Sequence, residues 1–208
     1  MISRFGIAWR AGLVGLLLWA CLSSRSAAYL LEALLPAQGA VFGVLMPDFA
    51  IRSFDVQMRG AHLKLRAATH NRHYLVLGGR AHPPGIEFEV ETPARTALLY
   101  ALLIVAGALF TVSGGRHAGL RVAPLVAACA AFMAVVPVPV VLAGEQWGLG
   151  VQAGTEPSLA AALVAASGFL IHGGGFALCA VMVWALSACA RPWRERRKLP
   201  AAPVATLP

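Results

Sequence analysis

Residues 159–190 read LAAALVAASGFLIHGGGFALCAVMVWALSACA and contain no Asp, Glu, Lys or Arg. A helix of about 20 predominantly apolar residues is long enough to cross the hydrocarbon core of a bilayer. This stretch therefore predicts a membrane-spanning helix, and because it is longer than one crossing requires, we expect it to tilt or to project beyond the core. The class that it indicates is an integral membrane protein with helical spans.

The composition of the whole chain agrees with that class. Of its 208 residues, 59% are hydrophobic and 12% are charged, whereas a typical soluble domain has about 25% charged residues. These values exclude a polar-surfaced soluble domain and a disordered chain, and four cysteines in this length exclude a disulfide-dense scaffold. The net charge of +8 does not indicate a nucleic-acid partner, because no basic stripe with interleaved aromatic residues accompanies it.

Three further apolar stretches lie before residues 159–190 in the chain. Residues 11–22 begin a helix whose apolar character continues to Leu35, and residues 96–112 and 122–143 carry no charge. The pattern predicts an integral membrane α-helical bundle of four transmembrane helices, with a small extracytoplasmic antiparallel β domain between helices 1 and 2. The predicted segments are transmembrane helix 1 with an extended outer end (1–47), the β-rich domain (48–93), transmembrane helices 2 to 4 (94–190) and a basic cytoplasmic tail with a disordered end (191–208).

The basic residues predict the orientation of the spans. Arg4 and Arg10 lie at the N-terminal end, the turn at 113–121 is basic, and residues 144–158 contain neither Lys nor Arg. By the positive-inside rule this distribution predicts four spans with both termini in the cytoplasm. The first loop is also basic, but long segments translocate with less regard for charge. A cleaved signal peptide is the alternative for the first stretch, and the apolar character through Leu35 favours a retained helix.

The first loop changes from a helical period to a period of two. Residues 54–59, 62–66 and 86–91 alternate apolar with polar side chains, and residues 74–77 form a short continuous apolar run. Gly60, Gly78 and the Pro83-Pro84-Gly85 run mark turns. We expect four short antiparallel strands with one apolar face, which residues 29–35 of the first helix would cover. Glu87, Glu89 and Glu91 fall on the solvent face of the last strand, as a solvated surface that arginines can pair.

His172 is the ionisable side chain nearest the middle of a span, and Gly173, Gly174 and Gly175 follow it. An intramembrane ionisable residue is a functional candidate because it is costly to place there. The alternatives are a hydrogen-bonded helix contact, a contact with a partner protein, or catalysis; contact with a helix or partner is the favoured interpretation. We predict no catalytic, cofactor-binding or metal-ligating residues, and we interpret His62, His70, His73 and His82 as surface residues without a shared metal.

The C-terminal segment is strongly basic and fits an anchor for anionic lipids. Its basic residues are Arg191, Arg194, Arg196, Arg197 and Lys198.

The layout resembles a known family. The pieces that carry the resemblance are the strand Ile86-Glu87-Phe88-Glu89-Val90 running into the second span, the basic turn 116–121, Trp147 after the third span, and a fourth span that ends at Arg191. These are similar to the small membrane proteins associated with exosortase H. The resemblance implies association with a membrane transpeptidase that processes C-terminal sorting signals, a place in the bacterial inner membrane, and no catalytic residues to carry over.

Two functional hypotheses follow. The favoured one is a non-enzymatic accessory subunit that docks beside a larger, exosortase-like membrane protein. The alternative is a small intramembrane enzyme or carrier that uses His172 with Glu145 or Cys179. The spans favour the first, because a catalyst or carrier usually buries several polar groups and these stretches hold few.

Overall fold

The computed structural model describes residues 4–59, 62–77, 80–111, 116–152 and 158–195. Over these residues the chain forms seven α-helices, one π turn and five strands. In chain order they are α1 (Arg4–Leu22), α2 (Ser24–Leu45), β1 (Phe49–Arg59), β2 (His62–Asn71), β3 (Leu75–Leu77), β4 (Arg80–His82), β5 (Glu87–Pro93), α3 (Arg95–Thr111), α4 (Arg116–Val135), α5 (Pro137–Gln152), α6 (Ser158–Phe169), the π turn (Leu170–Gly174) and α7 (Gly175–Glu195).

Three of the predicted long helices are each divided in two. The first breaks at Ser23, whose backbone is extended, and the third breaks at Val136, directly before Pro137. A proline has no N–H to donate and its ring clashes with the carbonyl four residues earlier, so it interrupts a helix where it stands. The fourth is interrupted by the π turn, where His172 and Gly173 leave helical geometry. The apolar pattern predicted the helices, but it did not predict these interruptions.

The helices are arranged in two tiers. In the basal tier, which consists of α1, α3, α4 and α7, helix α3 packs against the other three and α4 packs against α7. In the sheet tier, which consists of α2, α5, α6 and the strands β1, β2 and β5, helix α5 packs against α2, α6 and β5, and α2 packs against β1. A buried cluster of apolar side chains from α3, α4 and α7 fills the basal tier, and a second cluster joins the sheet to α2 and α5.

The sheet has the order β1-β2-β5 and is antiparallel throughout, with a bulge in β1 between Ile51 and Ser53. Alternate residues of β2 are buried, as the period of two predicted. The expected count of four strands is wrong for the described residues, because Leu75–Leu77 pairs with a strand that the sequence pattern did not indicate. That strand is Arg80–His82, and the pair forms a separate two-stranded ribbon.

The apolar face of the sheet is covered by the later part of α2 and by α5. Phe42 of α2 contacts Phe54 with ring centroids 5.7 Å apart, and Trp147 of α5 packs edge-on against Phe49 at 5.7 Å. The expected cover, residues 29–35, is therefore wrong in part: Tyr29 is 73% exposed, whereas Leu31 is buried in the same cluster as the sheet. The cover lies farther along α2, where Gly39 lies against Phe54 and Gly43 against Ile51 of β1.

By length and composition, three helical segments are able to cross a membrane: Arg25–Leu45, Val122–Gly148 and Ala161–Ala190. Ala8–Leu22 and Arg95–Thr111 are apolar but shorter. The structure thus confirms a mostly helical chain of membrane type with a small antiparallel sheet, and it does not confirm a bundle of four spans. The difference arises because the break at Ser23 shortens the first predicted span, and because α3, although as long as predicted, has 17 residues where a span needs about 20.

Candidate functional site

The candidate site lies at the π turn between α6 and α7. Gly173 has a φ of 97° and His172 has a ψ of 19°, so neither residue continues the α-helix. A positive φ is readily adopted only by glycine, which explains why a glycine follows the histidine. π turns inside helices occur frequently at functional sites. The His-Gly-Gly-Gly run was the signal in the sequence from which this interruption could have been predicted.

His172 points outward from the bundle. Its side chain is exposed, and its Nδ1 lies 2.7 Å from the carbonyl oxygen of Gly168 in the preceding turn. A carbonyl only accepts, so Nδ1 is the donor, and in the neutral ring Nε2 then remains an acceptor. The expected hydrogen bond from His172 to a neighbouring helix is therefore not made: the ring bonds its own helix and directs its second nitrogen to the surroundings.

The three glycines have different roles. A side chain on Gly174 would overlap the ring of Phe169 in the same helix, whereas a side chain on Gly175 would overlap the ring of Tyr100 in α3. Phe176 adds an edge-on contact with Tyr100, with ring centroids 5.2 Å apart. Gly175 is thus the residue at which α7 approaches α3, while Gly174 accommodates the turn itself.

Large apolar side chains surround His172 on the outside of the bundle. Phe169, Ile171 and Phe176 are 52%, 55% and 51% exposed, and together with His172 they form the surface that we call the His172 face. A cavity of about 180 Å³ adjoins it. The cavity is lined by Thr92, Pro93, Thr96, Tyr100, Pro137, Val138, Val141, Leu170, Ile171, Gly173 and Phe176.

Of the two residues that could act with His172, one is engaged elsewhere and the other lies on a different helix. The thiol of Cys179 is buried and lies 3.6 Å from the carbonyl oxygen of Tyr100, to which it donates. Glu145 is half-buried in α5. Within the described ranges, no three His, Cys, Asp or Glu side chains are grouped so as to hold a metal ion, the histidines of the sheet included.

The solvent face of the sheet carries three ion pairs. Glu91 accepts from Lys64 at 2.8 Å and Glu89 from Arg66 at 2.6 Å, and Glu87 pairs with Arg52. The hydrogen bond from Arg66 to Glu89 raises the pKa of Arg66 above its ordinary value. The predicted outward phase of the three glutamates is confirmed, and each faces a cation on the same sheet. The pairs of Glu87 and Glu89 are largely exposed, whereas that of Glu91 is partly buried. Exposed ion pairs contribute little to stability, so the first two mainly make this face of the sheet polar.

Two buried amides were missed by the sequence analysis. Gln38 in α2 donates from Nε2 to the carbonyl of Ala134 at 2.8 Å, and Gln146 in α5 donates to the hydroxyl of Thr69 at 2.8 Å. Both amides are buried. The first bond satisfies a carbonyl that lies directly before the Pro137 break. In the sequence, only Pro137 indicated that a side-chain donor would be needed here, because an interrupted helix leaves backbone carbonyls without their helical partners.

Two of the predicted lipid-anchoring residues, Arg191 and Arg194, lie at the end of α7 that is remote from the π turn. The backbone of Arg191 and Arg194 is in α7, and their side chains are not among those described. Arg196, Arg197 and Lys198 lie outside the described residues.

Comparison with protein-family models, with curated proteins and with solved structures finds no match to this chain. The function is therefore argued from the geometry of the His172 face and from the layout of the sequence.

Proposed function

We propose that this chain is a non-enzymatic accessory subunit of a bacterial inner-membrane complex, and that it docks on a larger integral membrane protein through the His172 face. The observation that carries the proposal is the outward direction of His172. Its Nε2 is an acceptor among large exposed apolar side chains at the outer end of the basal tier, and exposed apolar patches of this kind commonly mark a contact with another protein. A neighbouring helix that presents a donor would satisfy it, as polar side chains do between membrane helices.

The placement of the basal tier in the membrane supports this docking. Helices α1, α3, α4 and α7 have 19, 17, 20 and 21 residues, which at about 1.5 Å per residue is roughly 25 to 32 Å. The hydrocarbon core of a bilayer is about 30 Å thick. We place these four helices across the membrane, with both termini in the cytoplasm, and the sheet tier on the outer side.

The charges of α2 agree with this placement. Arg25 and Glu32 are both exposed on α2, and exposed charges are disfavoured in the hydrocarbon core. The basic starts of α1 and α4 and the basic end of α7 lie at the other end of the basal tier, where the positive-inside rule places the cytoplasm.

The class of partner is inferred from the order of elements along the chain. The strand that runs into a span, the basic turn and the tryptophan of α5 resemble the proteins associated with exosortase H, so the proposed partner is an exosortase-like transpeptidase that processes C-terminal sorting signals. The accessory role fits better than the alternative of an intramembrane enzyme or carrier, because Cys179 donates to Tyr100 and the ring of His172 bonds Gly168.

The test is co-purification of the tagged full-length chain from native membranes in mild detergent. His172→Gln keeps an acceptor and should retain the partner. His172→Leu removes one interhelical hydrogen bond of about 0.6 kcal/mol, which lowers recovery of the partner about threefold. Val181→Leu is the matched control, because Val181 is exposed on the same helix outside the His172 face; its recovery should equal that of the wild type.

Two results would overturn the proposal. Equal recovery of the partner with His172→Leu and with the wild type would remove the docking role. Full recovery with His172→Gln, accompanied by loss of an activity of the complex, would favour the catalytic alternative instead, because an amide cannot titrate near neutral pH.

A further inference from the structure

A second feature lies at the opposite end of the basal tier. A groove of about 290 Å³ runs between α1, α3 and α4, and its apolar lining has one charged side chain, Arg10. The apolar lining residues are Val105, Ala108, Leu109, Val122, Ala123, Val126 and Ala127. Several of them are alanines, so the width of the groove comes from small side chains on α3 and α4.

Arg10 is held at the groove by α3. Its guanidinium donates to the carbonyl of Leu109 at 2.7 Å, and the side chain is partly buried. Leu109 is one of the last four residues of α3, whose carbonyls have no partner within the helix, and a cation is favoured there by the helix dipole. A guanidinium has five N–H donors, and no carboxylate among the described residues forms an ion pair with Arg10.

We propose that this groove binds one anionic phospholipid. The phosphate accepts from the remaining N–H groups of Arg10, and one acyl chain lies along the apolar lining between α3 and α4. A lipid fits the site better than a protein helix does, because the groove combines a single cation at the end of the bundle with an apolar channel beside it. An anionic lipid has the same two parts in the same order.

The position of Arg10 in the fold supports this choice. It lies in α1 near the end of the tier where α4 begins at Arg116 and α3 ends at Thr111. We have placed that end at the cytoplasmic leaflet, whose anionic lipids attract basic residues. The inference needs only that the basal tier crosses the membrane; it does not depend on docking at the His172 face.

The experiment is native mass spectrometry of the full-length chain released from nanodiscs made of equal amounts of phosphatidylglycerol and phosphatidylcholine. The wild type should retain phosphatidylglycerol in preference to phosphatidylcholine. Arg10→Gln should lower the retained phosphatidylglycerol about fivefold, since one basic residue near an anionic surface has about that effect. Arg25→Gln is the matched control, because Arg25 is exposed on α2 in the other tier, and it should retain as much as the wild type.

A second pair of variants tests the acyl channel while leaving the charge in place. Ala127→Phe fills the groove and should also lower retention, whereas Ala128→Phe, on the neighbouring exposed residue outside the lining, should not. Unchanged retention with Arg10→Gln, unchanged retention with Ala127→Phe, or equal retention of the two lipids by the wild type would each overturn the site. If Arg10→Gln does not fold, the two alanine variants still decide the outcome.

Discussion

Gln38 connects the two tiers through a single side chain. It lies in α2 of the sheet tier, is 0% exposed, and donates to the carbonyl of Ala134 at the end of α4. A buried carbonyl without a donor costs free energy, and the Pro137 break leaves carbonyls in that position. The amide therefore stabilises the break, which explains why a polar residue stands on an otherwise apolar face of α2.

We predict that Gln38→Met destabilises the fold by about 1 kcal/mol, because the methionine fills the space of the amide but removes the donor to the carbonyl of Ala134. Part of the loss is offset, since the substitution also removes Oε1 of Gln38, a buried acceptor that has no partner among the described residues. Thermal unfolding of the purified protein in detergent measures the change. The matched control is Gln57→Met, since Gln57 is partly exposed and donates to the carboxylate of Asp55 in the same strand; its effect should stay within about 0.5 kcal/mol. Equal stability of the two variants would contradict the role given to Gln38.

Helix α7 is positioned against α3 by close approach at two levels. Side chains added at Gly107 would overlap Val183, and side chains added at Gly175 would overlap Tyr100. Small residues at such crossings let membrane helices come into backbone contact. The sequence contains both glycines, but it could not show which glycine faces a neighbouring helix and which faces its own helix.

We predict that Gly175→Ala destabilises the protein by about 1–3 kcal/mol, because the new methyl group overpacks against Tyr100. Gly168→Ala is the control: among the described residues, no side chain or neighbouring element lies within 4 Å of the added carbon, and alanine is favoured over glycine in a helix by up to about 1 kcal/mol. In a Tyr100→Ala background the cost of Gly175→Ala should largely disappear, which a double-mutant cycle measures. An undiminished cost in that background would place the clash elsewhere.

Much of the sheet was predictable, because alternation reports directly which residues face inward. The outward phase of Glu87 and Glu89 followed from it, whereas the Arg80–His82 strand did not, since three residues carry too little pattern. The exposure of His172 was not predictable either. An apolar run around His172 predicts a span whether the histidine faces the inside or the outside of the bundle, and only the packing of the helices decides which.

For the molecule as a whole, the main point is which of the two tiers lies in the bilayer. Helices α4 and α5 follow one another, one in each tier, and have 20 and 16 residues. That is about 54 Å of helix in total at roughly 1.5 Å per residue, more than a core of about 30 Å requires, and we infer that one tier projects from the membrane. The segment Arg25–Leu45 is apolar enough to be a span, yet it belongs to the tier that carries the sheet.

We predict that α2 lies outside the hydrocarbon core, and that single cysteines in a background without the four native ones will show it. A thiol at Ala37, which is exposed on α2, should react with a membrane-impermeant maleimide added to the outside, as should a thiol at the exposed His62 of the sheet. Ala128→Cys, exposed on α4 of the basal tier, should be protected by lipid. A thiol at Ala118 should react only after the membrane is permeabilised. Protection at Ala37 together with reaction at His62 would make α2 a span and exclude the four-span arrangement, because the chain would then cross the membrane along α2 as well.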